Sequence, residues 1–260
     1  MDLRLAGRVA LVLGGTRGLG LACARSLAQE GARVIVNGRD PRHGATVAAA
    51  LSIRNDAAFV AGDIGTDEGR RALVAGVGSL AQPDIVVTNA GGPPAGPFMD
   101  TDAAMWRAAF ETSLSGPLEI VRAFLPAMRA RGYGRILNIT SFVVKELYPN
   151  MSLSNGLRVG LTGAMGAIAR EVAADGVTVN GLLPGLMDTG ALQRVIADRM
   201  KRAGQSEEEV RSAMAAGIPQ RRLGSAADFG PLCAFLASPL AGYITGQNIC
   251  VDGGLTKNVI

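Results

Sequence analysis

Residues 14–20 read Gly-Gly-Thr-Arg-Gly-Leu-Gly, directly after the apolar run Val9–Leu13 and ahead of an Ala-rich helical pattern over 18–30. Glycines let a backbone turn tightly and come close to a ligand. The start of the following helix offers unpaired N–H groups and the positive end of its dipole. The spacing G-x-x-x-G-x-G is one step from the common G-x-G-x-x-G fingerprint, so this stretch is expected to cradle a dinucleotide pyrophosphate. The candidate contacts are Gly14, Thr16, Arg17, Gly18, Leu19 and Gly20.

Outward from this loop, strand-like runs recur at 9–13, 33–37, 58–61, 85–88, 135–140, 177–183 and 249–251, and helical periods lie at 18–30, 41–53, 66–80, 101–130 and 152–175. Such alternation predicts an α/β protein with a parallel sheet and helices on both faces. Seven strands in a doubly wound (Rossmann) order account for residues 1–260 as a single domain. The rhythm breaks at about 186–224, between strands six and seven. An insertion past the C-terminal end of a strand is where a substrate lid is expected, because ligands bind at those ends.

Composition narrows the functional classes. The chain has 260 residues and is 48% hydrophobic, which excludes global disorder. A chain of this size buries roughly 70–75% of its unfolded surface and needs no disulfide or metal to fold. Cys23, Cys233 and Cys250 form no Cys-x-x-Cys and read as small buried residues in a reducing compartment. His43 is the only histidine, so neither a His-based metal site nor a Ser-His-Asp triad is expected; it reads as a surface residue on a helix. The net charge of +4 comes mostly from arginine, with lysine only at 145, 201 and 257. No basic cluster interleaved with aromatics appears, so nucleic acid is not an expected partner. No apolar run approaches the ~18 residues of a membrane span, and the N-terminus reads as a first strand rather than a signal peptide. A cytoplasmic location is the resulting expectation.

Further motifs follow in order. They are Asp63-Ile64, Thr88-Asn89-Ala90-Gly91, Asn138-Ile139-Thr140-Ser141, Val179-Asn180, Pro184-Gly185 with Thr189, Gly246-Gln247 and Asp252-Gly253-Gly254. Together with the glycine loop, they make the whole chain resemble the short-chain dehydrogenase/reductase family. Asn89 to Pro93 and Lys145-Glu146 look like its 3-oxoacyl-carrier-protein-reductase-like subgroup. Leu13 and Thr88 depart from the family's threonine and first asparagine. The resemblance implies that Asp63 and Ile64 contact adenine and that Asn89, Ala90 and Gly91 line the cofactor. It also implies that Pro184, Gly185 and Thr189 flank the nicotinamide. Strand two ends Asn37-Gly38-Arg39, placing Gly38 where NAD enzymes carry an acid for the ribose 2′-OH. Arg39 and Arg17 suit a 2′-phosphate instead, so NADP(H) is the expected cofactor. Asp40, just before Pro41, reads as a helix N-cap that points away from the ribose.

The catalytic end departs from the family. Its tetrad uses a tyrosine as acid/base, a lysine that tunes it and holds the ribose, a serine on the carbonyl oxygen, and usually an asparagine. Counting from Ser141 puts Ser154 at the tyrosine position and Arg158 at the lysine position; Ser113 takes the asparagine position. Ser141, Ser154 and Arg158 are the candidate catalytic residues. A serine hydroxyl is a far weaker acid than a tyrosine titrating near ~10. Arg158 stays cationic and is suited to ribose hydroxyls or a polarised carbonyl. Tyr148, Lys145, or a water relayed through Ser154 and Ser141 remain open as proton donors. The resemblance implies NADP(H)-dependent reduction of a 3-oxoacyl or other ketone, with a small carbonyl or alcohol as substrate. Two alternatives stand beside it: a non-catalytic NADP-binding sensor or inactive subunit, and a lyase or isomerase on the same fold. The arginines of 191–222 read as solvated helix charges more readily than as a basic lid for an acidic substrate. The family packs the helices matching 101–130 and 152–175 between subunits, implying a homodimer or homotetramer.

Overall fold

A computed structural model describes residues 1–53 and 55–257. Seven parallel strands, β1 (Val9–Val12), β2 (Arg33–Gly38), β3 (Ala58–Ala61), β4 (Ile85–Asn89), β5 (Gly134–Ile139), β6 (Val177–Pro184) and β7 (Asn248–Val251), form one sheet in the order 3-2-1-4-5-6-7. The central strands read as unbroken apolar runs because helices cover both faces. Along β1, Ala10 and Val12 join one core while Leu11 joins the other, as the two-residue pleat requires.

The first core gathers α1 (Gly18–Gln29), α2 (Pro41–Leu51) and a C-terminal helix, Ala226–Ala237. The second gathers α3 (Asp67–Leu80), α5 (Gly116–Ala130) and α6 (Ser152–Val172). Two helical expectations need correction. The stretch 101–130 is not one helix: α4 (Ala103–Phe110) runs into a π turn, Glu111–Ser115, before α5. Pro117 lacks the N–H that an α-helix would direct to the Ser113 carbonyl, so the bonding pattern loosens there. The helix Ala226–Ala237, α9, was not expected, because Gly230 and Pro231 interrupt its pattern. Gly230 is what lets it close on α1: a methyl there would sit 2.7 Å from the Ala22 carbonyl oxygen. The free thiols of Cys23 and Cys233 meet at this contact, and the hydrogen bond between them together with burial pushes the Cys233 thiol up.

Segment 186–224 contains α7 (Gly190–Ala203) and α8 (Glu207–Ala216). These pack on a small core of their own, Leu192, Ile196, Val210 and Met214. Among the described residues, no helix is long and apolar enough to cross a membrane.

Candidate active site

The strand order reverses between β1 and β4, and the crevice beyond their C-terminal ends is the natural ligand site of such a sheet. The glycine loop lies at its mouth. Gly14 and Gly18 adopt φ of +55° and +54°, a region that disfavours any side chain. A methyl on Gly20 would collide with the Gly14 carbonyl oxygen. Asn89 Nδ2 donates to that same oxygen at 3.3 Å, tying the end of β4 to the loop. Arg17 is the N-cap of α1 but provides no side-chain cap, so the first-turn N–H groups are left to a ligand. A Cβ built on Gly18 would lie 3.8 Å from Thr189, so the segment after β6 reaches the loop as well. Pro184 closes β6 against Val251 of β7, and Gly185 packs tightly on Asp252.

At the end of β2, Gly38 faces the Thr16 side chain. Arg39 is 81% exposed and pairs with Asp63 at 3.7 Å. So exposed a pair is worth little, leaving the guanidinium free to exchange the carboxylate for a ligand. Asp63 Oδ1 also accepts from Gly65 N at 2.9 Å, and the buried Ile64 offers its carbonyl to Arg70 at 2.9 Å. Asp40 caps α2 as expected, accepting from Arg42 N and His43 N at 3.0 and 3.1 Å behind Pro41. His43, read from sequence as a plain surface residue, is half-buried and its Nε2 lies 3.1 Å from the Thr16 carbonyl oxygen. No sequence signal marks that contact, because it joins two segments 27 residues apart.

Ser141 follows β5, and its Oγ accepts from Val143 N at 3.3 Å, capping the short turn Phe142–Val144. Ser154 and Arg158 lie four residues apart on α6, so they share a face of the helix. Ser154 is buried. The Arg158 Nη1 donates to the Thr140 carbonyl at 2.8 Å, and Nη2 faces Gly92 in the loop that continues from Ala90 and Gly91. Burial lowers the Arg158 pKa to about 10, which leaves it cationic at neutral pH. Among the described residues no carboxylate forms an ion pair with it. Half-buried, Arg158 is a partly desolvated cation, and such groups concentrate at functional sites. Ser113 sits buried in the π turn; its Oγ and the Thr140 Oγ1 have no hydrogen-bond partner among the described residues. Tyr148 is 40% exposed, its ring edge-on to Phe142 at 5.3 Å, and Lys145 is half-buried on the same loop. Thr88 Oγ1 donates to Asn138 Oδ1 at 2.7 Å, stapling β4 to β5 behind the crevice.

An open groove of about 630 Å³ lies beside the helical pair, walled by Asp188, Glu207, Glu208, Arg211, Leu223 and Ser225 among others. Its arginine is already engaged. Arg211 grips both Asp188 oxygens at 3.1 Å and Glu207 at 2.8 Å, which pulls the Asp188 carboxyl below its usual range. Arg202 and Arg222 are likewise paired, with Asp198 and Asp228.

Comparison with known proteins agrees with this fold. Residues 14–256 match the family described as enoyl-(acyl carrier protein) reductase. The 3-oxoacyl-[acyl-carrier-protein] reductase FabG of Haemophilus influenzae is 32% identical over 250 residues, covering 96% of this chain and 98% of that protein. Human dehydrogenase/reductase SDR family member 4 is 33% identical over 255 residues, covering 96% of this chain and 88% of its own length. Among solved structures, L-sorbose reductase from Gluconobacter frateurii, complexed with NADPH and L-sorbose, superposes with a TM-score of 0.95 at 29% identity over the whole of both chains.

Proposed function

The chain belongs to the short-chain dehydrogenase/reductase family, and on that premise we propose that it is an NADP(H)-dependent oxidoreductase that reduces a small carbonyl substrate, a 3-oxoacyl compound or another ketone. The observation that carries this reading is the crevice itself. Its glycine loop has an uncapped helix start, Arg17 follows Thr16 in that loop and Arg39 follows Gly38, and Gly38 carries no carboxylate of its own to repel a 2′-phosphate. The fit to a dinucleotide is steric as well: Gly14, Gly18 and Gly20 have no room or no dihedral freedom for a Cβ. Gly14, Thr16, Arg17, Gly18, Leu19 and Gly20 would hold the pyrophosphate side, and Arg39, Asp63 and Ile64 the adenosine. Asn89, Ala90, Gly91, Arg158, Pro184, Gly185 and Thr189 would hold the nicotinamide end.

The bound cofactor would supply the hydride. Ser141 would donate a hydrogen bond to the substrate oxygen. Arg158 would stabilise the negative charge that builds there, since a fixed, half-buried cation acts more strongly than one in water. Ser154 is too weak an acid to serve unaided, so we assign it the relay of a proton from water. The pair α7 and α8 would act as the substrate lid, and α4, α5 and α6 as the contact between subunits of a dimer or tetramer.

A second reading, an NADP-binding sensor or inactive subunit, is favoured by one observation: Ser154 and Arg158 occupy the positions of the family's tyrosine and lysine. The two separate in one assay. NADPH consumption is followed against ketones and 3-oxoacyl thioesters, with Ser141→Ala and Arg158→Ala alongside. Turnover that both substitutions reduce at least tenfold supports the reductase. Tight NADPH binding without turnover of any substrate supports the sensor.

A further inference from the structure

His43 lies outside every role assigned above. It sits in the first turn of α2, and its side chain spans the gap to the glycine loop, where Nε2 meets the Thr16 carbonyl oxygen at 3.1 Å. A carbonyl only accepts, so Nε2 carries the hydrogen and the ring is the donor. The bond joins the two chain segments that bear the candidate phosphate arginines. Arg17 follows Thr16 directly, and Arg39 immediately precedes the cap of the helix that carries His43.

Both ends of this tie are held from behind. The Asp40 carboxylate accepts from the Arg42 and His43 backbone N–H groups, and Pro41 presets the helical φ of the first turn. Gly44, the next residue, packs so closely on the Phe59 ring of β3 that a methyl there would collide with it. The helix start is thereby held against β3. On the loop side, a Cβ built on Gly38 lies 3.0 Å from the Thr16 side chain, so Thr16 is lodged against the end of β2. Beside the backbone bond from Gly15 N–H to the Asn37 carbonyl at 3.0 Å, the His43 bond is a second tie between the segments that carry Arg17 and Arg39.

We propose that His43 is a positioning residue for a 2′-phosphorylated adenosine: by holding the Thr16 carbonyl it keeps Arg17 and Arg39 at the spacing that lets both reach one phosphate. The proposal rests on the NADP(H) reading above. It places the discrimination between phosphorylated and unphosphorylated cofactor partly in a residue that acts through the backbone of the glycine loop.

The test compares wild type, His43→Ala and His43→Gln by titration with NADPH, NADH, 2′,5′-ADP and 5′-AMP. Glutamine keeps an N–H donor near the position of Nε2. Loss of one neutral hydrogen bond corresponds to about fivefold in affinity. We expect H43A to weaken NADPH and 2′,5′-ADP about fivefold, to leave NADH and 5′-AMP within about twofold, and H43Q to restore most of the loss. Equal weakening of phosphorylated and unphosphorylated ligands overturns the proposal, as does an unchanged preference in H43A. An H43Q that falls with H43A while its thermal midpoint matches wild type overturns the hydrogen-bond account. If wild type binds none of the four ligands, it is the cofactor reading itself that has failed.

Discussion

Replacing Arg70 by methionine tests what holds the π turn in place. Arg70 stands on α3 with its side chain only 5% exposed. It donates to the Ile64 carbonyl at 2.9 Å and to Glu111 at 3.0 Å, pairs with Glu119 at 2.7 Å, and also binds Asp67. One guanidinium thereby ties α3, the loop after β3, the first residue of the π turn and the body of α5. Methionine keeps the apolar stem and removes the charge. Taking one member from a buried ion pair costs about 3–5 kcal/mol. The three carboxylates left behind are 72%, 39% and 45% exposed, so water compensates part of the loss. The Ile64 carbonyl, at a buried residue, keeps its share. A discounted cost of about 2–3 kcal/mol follows, or a thermal midpoint lower by roughly 5–10 °C for a chain of this length. Urea unfolding at neutral pH, read by circular dichroism, measures it directly. Glu119→Gln is the control: it keeps an acceptor on a half-exposed side chain and should cost under about 1 kcal/mol. An Arg70→Met protein within about 0.5 kcal/mol of wild type, or a Glu119→Gln protein equally destabilised, would refute the idea that this one cation organises the junction.

Three further outcomes are expected. Gly20→Ala forces a methyl onto the Gly14 carbonyl oxygen. An overpacking cost of about 1–3 kcal/mol expressed in the loop should weaken NADPH about tenfold or more in a fluorescence titration, and unaltered affinity would show that the loop yields freely. Gly38→Asp places a carboxylate beside Arg39; the ratio of NADPH to NADH affinity should fall at least about tenfold, and a constant ratio would remove Gly38 from cofactor choice. Asp228, gripped by Arg222 at 2.7 Å and capping α9 through Ser225, has its pKa held well below the usual carboxylate range. Its contribution is therefore complete above about pH 4 and is lost as pH falls through the depressed folded value. Asp228→Asn should be less stable than wild type by about 1 kcal/mol at pH 6, after allowance for solvent screening, with the gap closing toward pH 2.5. A gap independent of pH would assign the difference to something other than charge.

Much of the architecture was legible because it rests on local signals. The β-branched runs marked all seven strands to within one residue at each end, since strands buried on both faces tolerate few polar side chains. Asp40-Pro41 announced the start of α2, and the structure shows that cap. What stayed hidden depended on contacts across the sheet. Helix α9 carries Gly230 and Pro231 in its interior, and only the approach of α1 explains why a glycine is preferred there. Its one local sign is the box Ser225–Asp228, which those two breakers outweigh. The π turn had a sign too, in Pro117, but a single proline does not say whether a helix will end, kink or widen. The site divides in the same way. Glycines and arginines near the loop could be named from spacing, whereas the His43 tie and the unpaired state of Arg158 exist only once distant segments meet.

The small core beneath α7 and α8 has one more implication. Leu192, Ile196, Val210 and Met214 belong to neither of the two cores that flank the sheet. At its base the pair is held by the bridge between Met187 and Gly224, and Asp188 N and Gly224 N complete the join through backbone bonds of 2.7 and 3.0 Å. Breaking these contacts, together with the bond from Gln220 N–H to the Gly253 carbonyl at 3.2 Å, would leave every strand paired, so the pair is expected to open below the global unfolding free energy. The same partition predicts that substitutions at Ile196 or Val210 loosen residues 190–216 while the packing around the glycine loop is kept, which amide exchange over the two regions would check.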